Sequence, residues 1–82
     1  MYTDEDYLNE TKTFRYQMLD RLKSDCEYFL GMGHRNLKYL HDSNIRSHID
    51  LMRKLYHSFD IMEKPEWITL DQITEYENRM LD

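Results

Sequence analysis

The sequence is poor in chain breakers, with two glycines and one proline in 82 residues. Strand-rich folds need such residues at nearly every hairpin, so their scarcity argues against a sandwich or barrel and for helices joined by short turns. Cysteine is almost missing too. The single Cys26 excludes an intramolecular disulfide, and a secreted domain of this size would ordinarily need several, which points to a reducing compartment. The opening stretch MYTDEDYLNE has neither the basic start nor the apolar run of a signal peptide, and no segment approaches membrane-spanning length. A cytoplasmic protein with no membrane contact is expected.

What is present suffices for one small folded domain. Hydrophobic residues make up 40% and charged residues 33%, enough to build a core and unlike a disordered tail. The net charge of -5 is unevenly spread. Asp4, Glu5, Asp6 and Glu10 make the start acidic, and residues 61–82 are acidic again. Between them, nine Lys or Arg against six acids leave residues 11–60 at +3. Because those basic residues alternate with acids on helix faces, direct DNA binding is not expected.

Apolar side chains recur at helical spacing at Phe14, Met18, Leu22, Cys26 and Phe29, widened by Leu19 and Leu30. With a cap at Thr11 or Thr13, they predict a helix over 13–30. It is predicted to end at Gly31-Met32-Gly33, where a glycine can take the left-handed conformation that closes a helix. Leu37, Tyr39 and Leu40 suit a short connector helix over 35–41. Ser43 or Asn44 can cap a helix over 44–59, with Ile45, Ile49, Met52, Leu55 or Tyr56, and Phe59 on one face. Pro65 breaks the pattern into a loop over 60–68 that Trp67 is expected to pin to the core. Thr69 and Gln72 have the spacing of a capping box, which opens a last helix over 69–81.

The expected fold is therefore all-α, a compact bundle of three main helices plus a short connector. Residues 1–10 form an acidic segment, either a short turn or frayed, and residues 11–82 a single domain. The expected core is Leu22, Cys26, Phe29, Ile49, Met52, Leu55, Phe59, Trp67 and Ile73.

Three stretches carry a resemblance: Ser24-Asp25-Cys26-Glu27-Tyr28, the Gly31-x-Gly33-x-Arg35 turn and the Lys64-Pro65-Glu66-Trp67 loop. In this order, over residues 14–80, the chain resembles the helical module called large polyvalent protein-associated domain family eleven. Met32 and His34 stand where that family more usually has polar residues. The resemblance implies a protein of phages, plasmids or other mobile elements, whose long relatives accompany invading DNA and are proposed to blunt host defences. It implies no particular biochemical activity.

Chemistry is weakly represented. Cys26, His34, His41, His48 and His57 lack the paired close spacings of a chelating set, so no metal and no cofactor are expected. Cys26 on an apolar stripe reads as a small packed hydrophobe rather than a nucleophile, and no catalytic residue is assigned. Asp25 and Glu27, two apart on a helix, point to different sides and cannot share one substrate. The Gly31–Arg35 turn, flanked by His34, Arg35 and Lys38, offers N–H groups and cations that could cradle a phosphate, although closing a helix accounts for the glycines better.

Seven tyrosines and Trp67 exceed what a thin core requires, and such side chains populate binding hot spots. Tyr2, Tyr7, Tyr39 and Tyr76 are the aromatic candidates. Asp4, Glu5 and Asp6 are the acidic ones, able to meet a basic channel as a nucleic-acid mimic would. The function expected is that of a non-enzymatic, mobile-element counter-defence protein that inhibits a host defence protein, such as a CRISPR effector, by contact. The alternatives are a homo-oligomeric sponge for a nucleotide signal, using His34, Arg35 and Lys38, or a structural interaction module.

Overall fold

Side-chain caps open all four helices in the computed structural model, which describes residues 3–82; Tyr2 lies outside the described residues. Helix α1 spans Asp4–Leu8 and begins in a capping box, with the Thr3 N–H donating to Asp6 Oδ2 at 2.7 Å. The acidic start thus forms a helix of its own. Helix α2, Lys12–Leu30, starts at Thr11, whose Oγ1 accepts from the Phe14 N–H at 3.2 Å. Helix α3, Ile45–His57, starts at Asn44, whose Oδ1 accepts from the Ser47 N–H at 2.9 Å. Helix α4, Leu70–Leu81, opens in the capping box of Thr69 and Gln72 that their spacing predicts. Single 3-10 turns fill Leu37–Tyr39, His41–Ser43 and Ile61–Glu63, and there is no strand among the described residues. The chain is an all-α fold.

Helix α3 is the centre of the bundle, packing against α1, α2 and α4. Its buried Ile49, Leu51, Met52 and Leu55 meet Leu19, Leu22, Cys26 and Phe29 of α2 and Ile73 and Met80 of α4. Each such side chain contributes about 1.5–3 kcal/mol by leaving water. Eight of the nine expected core residues are buried. The exception is Trp67, which is 41% exposed. Ile68 takes the core position instead and is fully buried. In a non-helical segment adjacent side chains diverge, so only one of the two can face inward, and the smaller Ile68 is the one that fits.

The end of α2 also differs from expectation. Neither glycine is left-handed; the positive φ angles fall on His34 (52°) and Arg35 (59°). Gly33 serves close approach instead, since a Cβ there would lie 2.9 Å from the Tyr28 carbonyl oxygen and 3.0 Å from its ring. The Gly33 N–H donates to that carbonyl at 2.6 Å and the Arg35 N–H to the Phe29 carbonyl at 2.8 Å, so the turn folds back beneath α2. A second left-handed pair, Asp42 (φ 55°) and Ser43 (φ 50°), closes the connector. In place of the predicted helix over 35–41 there are two 3-10 turns, Leu37–Tyr39 after the first left-handed pair and His41–Ser43, which contains the second.

Candidate functional site

Two clamps fix the connector. At its start the Arg35 guanidinium donates to the carbonyls of Arg79 (3.1 Å), Met80 (3.2 Å) and Asp82 (3.3 Å), capping the C-terminal end of α4. At its end the His41 backbone N–H donates to Nδ1 of His48 at 2.9 Å, and His48 Nε2 lies 2.9 Å from the Leu22 carbonyl. Nδ1 accepts, so the proton of the neutral ring sits on Nε2 and is donated to Leu22. His48 is fully buried on α3, and burial holds its pKa below the ordinary value, against the opposing hydrogen bond to Leu22. The ring joins α2, α3 and the connector at one point.

The same connector end receives α1. Asp4 reaches His41 Nε2 at 3.0 Å with one carboxylate oxygen and Lys54 Nζ at 3.0 Å with the other. Burial raises its pKa, but the hydrogen bonds and charges of Lys54 and His41 outweigh that and hold the group below the usual carboxylate range. Tyr7, one turn further, sets its ring edge-on to His41 at 5.7 Å. On the other side of the connector, Tyr39 packs edge-on to Tyr28 at 4.8 Å, and Lys38 Nζ lies 5.3 Å from the centre of the Tyr39 ring.

These fixtures leave a groove of about 410 Å³ between α1, α2 and the connector. Helix α2 supplies Phe14, Met18, Arg21 and Asp25; α1 supplies Tyr7; the connector supplies Tyr39 and His41, with Leu22 and Leu40 also lining it. Positions 14, 18, 21 and 25 recur at helical spacing, so one stripe of α2 faces the groove while Leu19, Leu22, Cys26 and Phe29 face the core. Phe14 is 36% exposed as a result. Among the described residues nothing hydrogen-bonds or ion-pairs with the Asp25 carboxylate, and burial raises its pKa despite the opposing charge of Arg21. A recess lined by aromatic rings and by a carboxylate without a hydrogen-bonded partner suits recognition.

The residues singled out from sequence are therefore divided. Tyr7 and Tyr39 line one groove. Tyr76 lies elsewhere, in a hollow of about 240 Å³ with Glu27, Leu30, Gly31 and Arg79, where burial and then the Glu27 carboxylate push its hydroxyl up to about 12. Asp4 is clamped, Asp6 caps α1, and Glu5 is exposed. Of the phosphate-cradle set, Arg35 has its guanidinium on the α4 carbonyls, while His34 and Lys38 are exposed. The Cys26 thiol is buried and burial pushes its pKa up to about 12. Sequence reasoning passed over Asp25, set aside with Glu27 because the two point to different sides of a helix, and over His48 and Phe14. Phe14 and Met18 fall at the same spacing as the core residues Leu22 and Cys26, so periodicity alone did not separate the groove from the core. A broader, shallower hollow beside Leu8 and Asp50 has its cations paired, Lys54 with Asp4 and Arg53 with Glu77.

Comparison with known proteins identifies the family. The model of large polyvalent protein-associated domain 11 matches residues 12–80, and the chain belongs to that family, which is associated with polyvalent phage and plasmid proteins. No curated protein and no solved structure matches the chain. Among the described residues no helix is long and apolar enough to cross a membrane, and no three His, Cys, Asp or Glu side chains are grouped to hold a metal ion.

Proposed function

We propose that the protein is a non-catalytic counter-defence module of a mobile element, which inhibits a host defence protein, for example a CRISPR effector, by seating part of it in the groove. The observation that carries this reading is the convergence of Tyr7, Phe14 and Tyr39 on one recess whose walls are fixed by tertiary clamps. Rigid aromatic side chains in a pocket are the usual anchors of protein contacts, because they bury much area and lose little freedom. Family membership supports the setting. Contact runs through the aromatic recess rather than through acidic mimicry, since Asp4 and Asp6 already serve the fold. A nucleotide sponge built on Arg35 draws no support from the geometry, because that guanidinium caps α4.

The test is retention of proteins from bacterial lysate that contains active defence systems, comparing tagged wild type with a Tyr7→Ala, Tyr39→Ala double variant. A stoichiometric defence protein is expected on the wild type. Its retention is expected to fall at least about tenfold on the variant, given that an anchor tyrosine contributes roughly 2 kcal/mol. Equal retention by both, or capture only of proteins encoded by the same element, rejects the proposal.

A further inference from the structure

The groove has a chemical preference, and the argument for it rests on the binding reading above. Charged side chains that leave water are ordinarily paired or hydrogen-bonded, because an uncompensated carboxylate costs folding free energy. Three other partly buried carboxylates keep that rule: Asp4 has Lys54 and His41, Glu77 has Arg53, and Glu63 has Lys12. Asp25 breaks it. Its carboxylate is partly buried on the groove face of α2 and has no hydrogen bond and no ion pair within reach among the described residues. Arg21, one turn earlier, lines the groove without bonding to it, but Arg21 is exposed, and a solvated guanidinium carries no such cost.

The walls beside Asp25 are aromatic. Tyr7, Phe14 and Tyr39 line the groove, and tyrosine and phenylalanine rings attract a cation through their negative faces. A carboxylate lacking a partner, set among aromatic rings in a recess of about 410 Å³, is complementary to a guanidinium or ammonium on an alkyl stem. We infer that the groove receives a basic side chain of the partner protein, arginine best, with its charged end on Asp25 and its stem lying along the groove towards Met18. The planar fork of arginine matches a carboxylate in two bonds and stacks on rings, which lysine cannot do as well.

The opposite polarity, an anion such as a nucleotide phosphate held by Arg21, would put a negative group beside Asp25. The two possibilities give opposite responses to one substitution. Removing Arg21 takes away a like charge and strengthens binding of a basic side chain, but removes the cation on which a phosphate would depend.

The probe is acetyl-Gly-Arg-Gly-amide, titrated into the isotope-labelled full chain while the backbone amide signals of Tyr7, Asp25, Tyr39 and His41 are followed. Acetyl-Gly-citrulline-Gly-amide serves as the uncharged isostere, and guanosine monophosphate as the anionic probe. Saturable shifts are expected with the arginine probe alone, weakened at least about tenfold in Asp25→Asn by loss of the charge pair and strengthened in Arg21→Ala. Equal binding of the citrulline probe, unchanged affinity in Asp25→Asn, no saturable response to the arginine probe, or tighter binding of the nucleotide overturns the inference. The same Asp25→Asn protein separates this inference from the binding reading in lysate capture. A partner retained by Asp25→Asn but lost from the Tyr7→Ala, Tyr39→Ala variant leaves the groove as the interface and removes only the basic-side-chain claim. A partner retained by both variants removes the groove.

Discussion

His48 shows how one side chain can set the pH range of a small fold. It is fully buried, accepts from the His41 N–H and donates to the Leu22 carbonyl, so the folded state admits only the neutral ring. Burial lowers its pKa from the ordinary 6.5, outweighing the hydrogen bond to Leu22 and the Asp25 charge. Below pH 6.5 the unfolded chain therefore takes up a proton that the folded chain resists. Stability is complete above that pH and declines beneath it. Thermal melts are expected to show a falling Tm from pH 7 to pH 5.5, and the slope should be much smaller in His48→Gln, which also starts from a lower Tm. A flat wild-type profile would refute a buried neutral histidine. Asp4 does not confuse this window: its pKa is held below the ordinary 3.8, so the stability it contributes is lost only in stronger acid. From sequence His48 was one of four scattered histidines, because its partners lie 26 residues back at Leu22 and on the connector backbone.

At the scale of elements, two of the residues that carry the family resemblance, Arg35 and Lys64, serve as tertiary caps. Helices leave their last carbonyls without partners, and here cations from distant segments supply them. Arg35, from the glycine turn, closes α4. Lys64, from the proline loop, donates to the carbonyls of Tyr56 (3.1 Å) and Phe59 (3.0 Å), and Arg15 donates to the Ser58 carbonyl at 3.0 Å, so α3 is closed twice. Arg35→Ala is expected to cost about 1.5 kcal/mol, the scale of charge-assisted bonds at a partly exposed helix end. The lesion should be local, with hydrogen exchange accelerated in the last turn of α4 and in the connector while the middle of α3 stays protected. Uniform acceleration through the molecule would show that Arg35 is instead tied to global unfolding. Caps within a helix, such as Thr69 with Gln72, were legible because partner and target are three residues apart. The cations from afar were not, since no local rule links Arg35 to Met80, and Arg35 looked like a phosphate ligand.

For the molecule as a whole, Asp25, which has no hydrogen-bonded partner, is the position at which stability and the proposed binding are expected to separate. Burial raises its pKa, so the folded state holds its proton more tightly than the unfolded chain, and above the ordinary 3.8 the ionised group detracts from stability. Asp25→Asn is accordingly expected to leave Tm at pH 7 unchanged or higher while reducing partner binding, the signature of a residue kept for recognition. A clear drop in Tm, read by the same melts, would make Asp25 a structural residue instead. By itself the amino-acid sequence determined the helical class, the capped starts of α2, α3 and α4 and most of the core, because caps and apolar periodicity act over three to seven residues. The tertiary structure alone decided that Ile68 and not Trp67 enters the core, that Arg35 closes α4, and that Tyr7, Phe14, Asp25 and Tyr39 share one groove. Those outcomes depend on where α1 and the connector come to rest against α2 and α3, and that placement is set by contacts between segments far apart in the chain, Asp4 with Lys54 and His48 with Leu22.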